Sequence, residues 1–262
     1  MQIGLSTACF YPLETEKALQ KVAGLGFPCT EIFMNTYSEL EEPFPAELRK
    51  IADNGGVKVV SMHPFTSPEE AFMLFSAYER RYRDVFEFYK KYFETCAILG
   101  ADILVIHGGK TPLPIPKEEY WERFAALSEE GKKFGVTVAQ ENVVNHCAES
   151  TGFLMEMRDC LGDVFKVNLD IKQAVRAKQD PYEMARAMAG SIVNVHINDN
   201  NRHKDCLPPG KGNFDFSKYF NVLKEGGYAG SLIIELYRHN YQNEEEILKS
   251  AEYLKKICKG VR

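Results

Sequence analysis

The chain has 262 residues, 45% of them hydrophobic and 26% charged, the balance of an ordinary globular protein, which excludes a disordered or low-complexity chain. A formal net charge of -5 argues against nucleic-acid partners, which favour basic surfaces. No apolar run approaches the roughly 20 residues of a bilayer span, so no membrane partner is expected either.

Seven cysteines stand at 9, 29, 96, 147, 160, 206 and 258; they are odd in number and form no CxxC pair. Most lie inside apolar patterns and read as reduced thiols. The opening MQIGLST enters a strand-like run without the charged and apolar regions of a secretory signal. A cytoplasmic location is expected.

In chain order, strand QIGLS (2–6) precedes helical ETEKALQKVAGLG (14–26), whose Ala18, Leu19, Val22 and Leu25 make one buried stripe. Gly24 and Gly26 end it before strand CTEIF (29–33). A helix from Pro45 to about Asp53 leads to VKVVSM (57–62), and the longest helix spans about 69–99. Next come DILVIH (102–107) and a helix over about 117–134, then VTVAQE (136–141) and a helix over about 150–160. KVNLD (166–170) is followed by a helix over about 181–188 that starts at Asp180-Pro181. IVNVHI (192–197), a helix over about 216–226, SLIIEL (231–236) and a helix over about 243–258 complete the chain. Several strands are nearly continuous apolar runs, as parallel strands covered on both faces require. Eight such units predict an α/β chain forming a single (β/α)8 TIM barrel domain over 1–262. An open doubly wound sheet would want a phosphate-binding glycine motif after the first strand, and GLSTACFYP has none.

The third helix carries Phe72, Phe75, Tyr78, Tyr82, Phe86, Tyr89 and Phe93, wider than one stripe. Core packing explains it first. A contact with a second subunit, making a homo-oligomer, is the second reading.

In a barrel of this kind chemistry gathers at the C-terminal strand ends. Polar residues stand there after strands three to eight: His63, His107, Glu141, Asp170, His196 and Glu235. Each follows an apolar run, where a lone buried carboxylate is costly, and a metal is the simplest common cause. Glu141, Asp170, His196 and Glu235 come from four consecutive strands and make the best ligand set. Three carboxylates with one imidazole favour one hard or borderline divalent ion, Mn²⁺ first, with Mg²⁺, Co²⁺ or Zn²⁺ as alternatives. The competing reading is a hydrogen-bonded polar ring that closes the barrel.

The motifs MHPF (62–65), LVIHGG (104–109), VAQEN (138–142), VNLDIKQA (167–174), VHINDN (195–200), LPPGKGNFDF (207–216) and IIELY (233–237) resemble those of the xylose isomerase-like barrel superfamily, which holds sugar isomerases, sugar epimerases and endonuclease IV. The resemblance covers essentially the whole chain. The endonuclease branch implies three zinc ions and nine ligands; six have counterparts, but Gln173, Lys204 and Cys206 stand where the others are needed. The ketose 3-epimerase branch implies one divalent ion on Glu141, Asp170, His196 and Glu235, and a substrate-holding arginine at Arg202. Here Gln173 replaces that branch's substrate-binding histidine, and Cys147 stands in place of its second glutamate.

The resemblance implies proton transfer through an enediolate that the ion stabilises, with Glu141 and Glu235 as the acid/base pair. The outcome is epimerisation or isomerisation of a sugar, sugar acid or sugar phosphate. A dehydratase of inosose or dehydroshikimate type is the alternative, and a zinc endonuclease or a non-catalytic sugar-binding barrel follow behind. His63, His107, Arg202, Gln173 and Lys172 are the substrate-contact candidates. The bland readings are rim histidines for the first two and a solvated lysine for Lys172. Gly108-Gly109-Lys110 reads as a turn, GKG (210–212) as a weak phosphate signal, and His146 and His203 as surface loop residues.

Overall fold

The computed structural model describes residues 1–260. Eight parallel strands pair in sequence order and close into a barrel: β1 (Gln2–Ser6), β2 (Cys29–Phe33), β3 (Lys58–His63), β4 (Ile103–Ile106), β5 (Thr137–Glu141), β6 (Val167–Asp170), β7 (Ile192–Ile197) and β8 (Ser231–Ile234). Closure comes from β1 pairing with β8, Gln2 opposite Ser231 and Leu5 opposite Ile234. The expected (β/α)8 architecture is the observed one.

The outer helices are α1 (Thr15–Gly24), α2 (Phe44–Gly55), α3 (Glu79–Leu99), α4 (Lys117–Lys132), α5 (Thr151–Leu161), α6 (Ile171–Arg176), α7 (Pro181–Ala187), α8 (Phe216–Glu225) and α9 (Glu244–Gly260). Their starts follow local capping chemistry. Ser150 accepts the Phe153 amide at α5, Asp180 caps α7 ahead of Pro181, and Asp215 accepts the Lys218 amide at α8. Their apolar stripes, such as Ala18, Leu19 and Val22 of α1, are buried against the barrel. None of the described helices is long and apolar enough to cross a membrane.

Two local expectations change. The third helix begins at Glu79, not near 69; residues 67–69 form a 3-10 turn and the stretch up to Tyr78 folds over the barrel mouth. The cause is Glu70, which is buried and accepts from the Tyr89 hydroxyl at 2.6 Å and the Gly108 amide at 2.5 Å. These bonds tie the loop inward, and Phe75 stacks on Tyr120 beneath it with ring centroids 3.9 Å apart. Of the aromatics on this stretch, Tyr89 and Phe93 are in the core while Phe72 and Tyr78 are exposed. The second change is α6, a short helix directly after β6 that has no counterpart among the expected elements.

Candidate metal centre

The strand ends converge as the chain order requires. Asp170 pairs across the sheet with His196, and His196 with Ile233, two residues before Glu235, which directly follows β8. One donor atom from each of Glu141, Asp170, His196 and Glu235 lies within 4.8 Å of the others, and His63, His107 and Glu141 form a second group of the same kind. His196 Nδ1 is 3.1 Å from Glu141 Oε1, 3.6 Å from Glu235 Oε2 and 3.7 Å from Asp170 Oδ2. Glu141 Oε2 faces His107 Nε2 at 3.1 Å and His63 Nε2 at 3.5 Å. Glu141 thus joins the two groups.

A carboxylate absent from the expected set completes the cluster. Glu31, in the middle of β2, is fully buried, with His196 Nε2 at 3.0 Å from one of its oxygens and 3.1 Å from the other. It also accepts from Ser61 Oγ at 2.7 Å and Asn194 Nδ2 at 3.1 Å. With Nε2–H donated to Glu31, the other ring nitrogen, Nδ1, is the one turned toward the three remaining carboxylates. Metal-binding imidazoles are oriented by this kind of hydrogen bond.

The buried charges of the cluster shift one another's titration. Burial alone would push His196 down, but Glu31 and then Glu235 outweigh it and hold the imidazole well above its ordinary range. Burial would raise Glu141, yet hydrogen bonds from His107, His196 and His63 hold it well below the usual carboxylate range. Asp170 is likewise depressed against its burial, chiefly by the Lys172 ammonium.

Lys172 is the second surprise. It is 3% exposed, not solvated, and its Nζ lies 2.8 Å from Asp170 Oδ2 and 2.6 Å from Glu235 Oε2. Burial would lower it, but Asp170 and Glu235 keep its ammonium well above the ordinary lysine range. Asp170 caps α6 with Oδ1, which accepts the Gln173 amide and Asn198 Nδ2, each at 3.2 Å. Oδ2 is left to the Lys172 ammonium, as Glu141 Oε2 is left to His107 and His63.

The donor set fits a divalent ion. Three carboxylates and an imidazole nitrogen, with one donor atom of each within 4.8 Å of the others, are what a hard or borderline cation requires.

A cavity of about 360 Å³ opens onto the cluster, lined by Tyr11, Phe33, Asn35, His63, His107, Glu141, Lys172, Gln173, Glu235 and Tyr237 among others. The size suits a small molecule. A larger groove of about 840 Å³ beside Lys21, Arg238 and Glu244 contains none of the cluster. Of the substrate-contact candidates, His63, His107, Lys172 and Gln173 line the cavity; Gln173 Oε1 also accepts the Val144 amide at 3.2 Å. Arg202 is not brought there. Asp199 and Leu207 bridge the two arms of its loop, leaving Arg202 on the exposed tip with its Nε donating to His203 Nε2 at 2.7 Å.

The remaining expected features resolve physically. His203 is exposed, but His146 is buried beneath the loop that follows β5, contrary to a surface reading. The amides of Gly210 and Gly212 both donate to Asp199 Oδ2 at 2.9 Å, so the glycines of GKG close a loop around a carboxylate. Cys206 is fully buried, with Sγ on the Glu235 carbonyl at 3.8 Å. It packs behind the cluster.

Residues 19–257 match the family model described as xylose isomerase-like TIM barrel. An uncharacterized protein of Methanocaldococcus jannaschii is 26% identical over 281 residues, covering 100% of this chain and 90% of its own length. The inosose isomerase of Bacillus licheniformis is 27% identical over 194 residues, covering 66% of this chain and 68% of its own. Among solved structures, a D-tagatose 3-epimerase-like protein superposes with a TM-score of 0.83 at 22% identity, covering 100% of this chain and 98% of that one. With a closed eight-stranded barrel and a family match over nearly its whole length, the chain belongs to the xylose isomerase-like TIM barrel family.

Proposed function

We propose that the protein is a divalent-metal-dependent isomerase or epimerase acting on a small polyhydroxy ketone, a sugar or a close relative of one. The observation that carries this reading is the four-residue cluster of Glu141, Asp170, His196 and Glu235, two of whose members, Glu141 and Glu235, line a cavity of about 360 Å³. The inosose isomerase relative supports the reaction class.

Glu141, Asp170, His196 and Glu235 would hold the ion, with Mn²⁺ the first candidate. A divalent ion there supplies Lewis acidity toward an oxygen carrying developing negative charge. The chain's own groups do the rest. Glu235 is the more accessible of the two glutamates, its side chain 14% exposed against 2% for Glu141, and takes the role of base at the carbon beside the carbonyl. Glu141 sits between three imidazoles, so a proton leaving His107 or His63 has an acceptor, and those histidines face the cavity where substrate oxygens would lie. Delivery of a proton by Glu141 to the opposite face would invert the carbon, and delivery to the neighbouring carbon, with a proton passing between the two substrate oxygens, would move the carbonyl. Phe33, stacked on His63 with centroids 4.9 Å apart, and Tyr237 supply the apolar walls that keep water from the reacting carbon.

The test is incubation of Mn²⁺-loaded protein with a panel of ketoses, inososes and keto acids. An isomerised product supports the reading. Loss of water would move the protein to a dehydratase, and no reaction across the panel counts against both.

A further inference from the structure

The most unusual group in the cavity is Lys172. A lysine that merely served the fold would take its charge to solvent, and one that awaited a substrate anion would leave its ammonium free. Here the ammonium is buried and already held by two carboxylates, Asp170 Oδ2 at 2.8 Å and Glu235 Oε2 at 2.6 Å. The same two oxygens look toward His196 Nδ1, at 3.7 and 3.6 Å. Asp170 has no alternative oxygen to offer, because Oδ1 is committed to the Gln173 amide and Asn198. Any cation bound by Asp170 and Glu235 at the cluster therefore competes with Lys172 for Oδ2. Two cations cannot share contact distance in a buried site without strong repulsion.

The lysine has a way out. Its side chain lines the cavity, its Nζ is already 5.3 Å from the centroid of the Tyr237 ring, and the four-carbon stem is flexible. Moved off the carboxylates, the ammonium stays charged and faces the space where substrate lies. That space has no other free cationic side chain among its lining residues, since Arg202 is on the exposed loop tip.

We propose that Lys172 is a stand-in cation for the metal centre: it neutralises Asp170 and Glu235 while the site is ion-free, and metal loading displaces it into the cavity, where it becomes the cationic contact for a substrate oxygen. This rests on the metal-dependent reading above.

The test titrates MnCl2 into chelator-stripped wild-type protein and into Lys172→Gln and Lys172→Met, by calorimetry. Removing the competing ammonium should tighten Mn²⁺ binding tenfold or more. Affinity that is unchanged or weaker in the variants overturns the displacement while leaving the metal reading intact. A second measurement needs no variant: wild-type protein is acetylated with acetic anhydride, with chelator or with saturating Mn²⁺, and peptides are read by mass spectrometry. Lys172 should be labelled several-fold faster with Mn²⁺. Equal labelling in a protein that binds Mn²⁺ refutes the release of the side chain. If Mn²⁺, Mg²⁺ and Co²⁺ all fail to bind wild type and variants alike, the metal reading falls, and the role of Lys172 with it.

Discussion

Glu31 gives the sharpest perturbation of the cluster, because it lines no part of the cavity and its closest contact with the cluster is His196. Replacing Glu31 with Gln keeps the shape and leaves an acceptor for His196 Nε2, but removes the negative charge that holds the imidazole 3.0 Å away. Both side chains are fully buried, so solvent does not soften the loss. A hydrogen bond to a charged group is worth about 1.5–3 kcal/mol. By a separate route, losing a partner that orients a metal-binding histidine costs about 10–100-fold in metal affinity, or about 1.4–2.7 kcal/mol at 1.36 kcal/mol per decade. The two agree. Glu31→Gln should therefore bind Mn²⁺ about 10–100-fold more weakly. Its turnover at saturating Mn²⁺ should recover most of the wild-type value, because Glu31 does not reach substrate. The assay is Mn²⁺ calorimetry beside thermal melting in chelator. A folded Glu31→Gln variant with wild-type Mn²⁺ affinity and only a lowered Tm would show that Glu31 serves the fold and not the site.

Three further outcomes follow from the geometry. Glu141→Gln and Glu235→Gln should each lower turnover by about 10²–10⁴-fold, the usual range for a positioned acid or base; wild-type rates in either variant would remove that residue from the chemistry. Gly212→Ala places a Cβ 2.3 Å from Asp199 Oδ1 and 2.4 Å from the Asn200 carbonyl, so it should destabilise the fold by about 1–3 kcal/mol in chemical denaturation. An unchanged midpoint would mean that the loop is looser than these contacts require. Glu70 is raised above the ordinary carboxylate value of 4.5 chiefly by burial, against the pull of His107, Tyr89 and Gly108. A raised group favours folding while protonated, so its contribution is full below pH 4.5 and is lost as pH rises through its folded value. Wild type should accordingly lose stability relative to Glu70→Gln as pH climbs from 4 toward neutrality; a stability difference that is flat with pH contradicts this.

The barrel was legible because its signals are redundant: eight apolar runs, each followed by a helical stripe. The clustering of Glu141, Asp170, His196 and Glu235 was legible for a related reason, since a carboxylate or imidazole closing an apolar run stands out. Glu31 does not close its run but interrupts it, within CTEIF, and was passed over. The missed signal was the cost of burying a charge inside a strand, which already implied a partner. Lys172 misled differently. A lysine two residues past a strand reads as the exposed face of a helix, and only the cap geometry of Asp170 shows its ammonium turned back on two carboxylates. Spacing does not locate Arg202, because six residues beyond His196 is a distance along the chain, whereas the Asp199–Leu207 bridge sends the loop tip outward. The start of the third helix is hidden in the sequence because apolar content continues through 71–75, while the bonds to Glu70 that bend this stretch come from residues far away in sequence.

The central proposal is metal-assisted proton transfer beside a carbonyl in the cavity lined by Glu141 and Glu235. Its most direct test is nuclear magnetic resonance of ketose and inosose substrates incubated in deuterated water with Mn²⁺-loaded protein. The account predicts deuterium entering at the carbon next to the carbonyl, in step with isomer formation, and abolished by chelator and by Glu235→Gln. Isomer formed with no deuterium taken up, or deuterium uptake that persists in chelator, would contradict it.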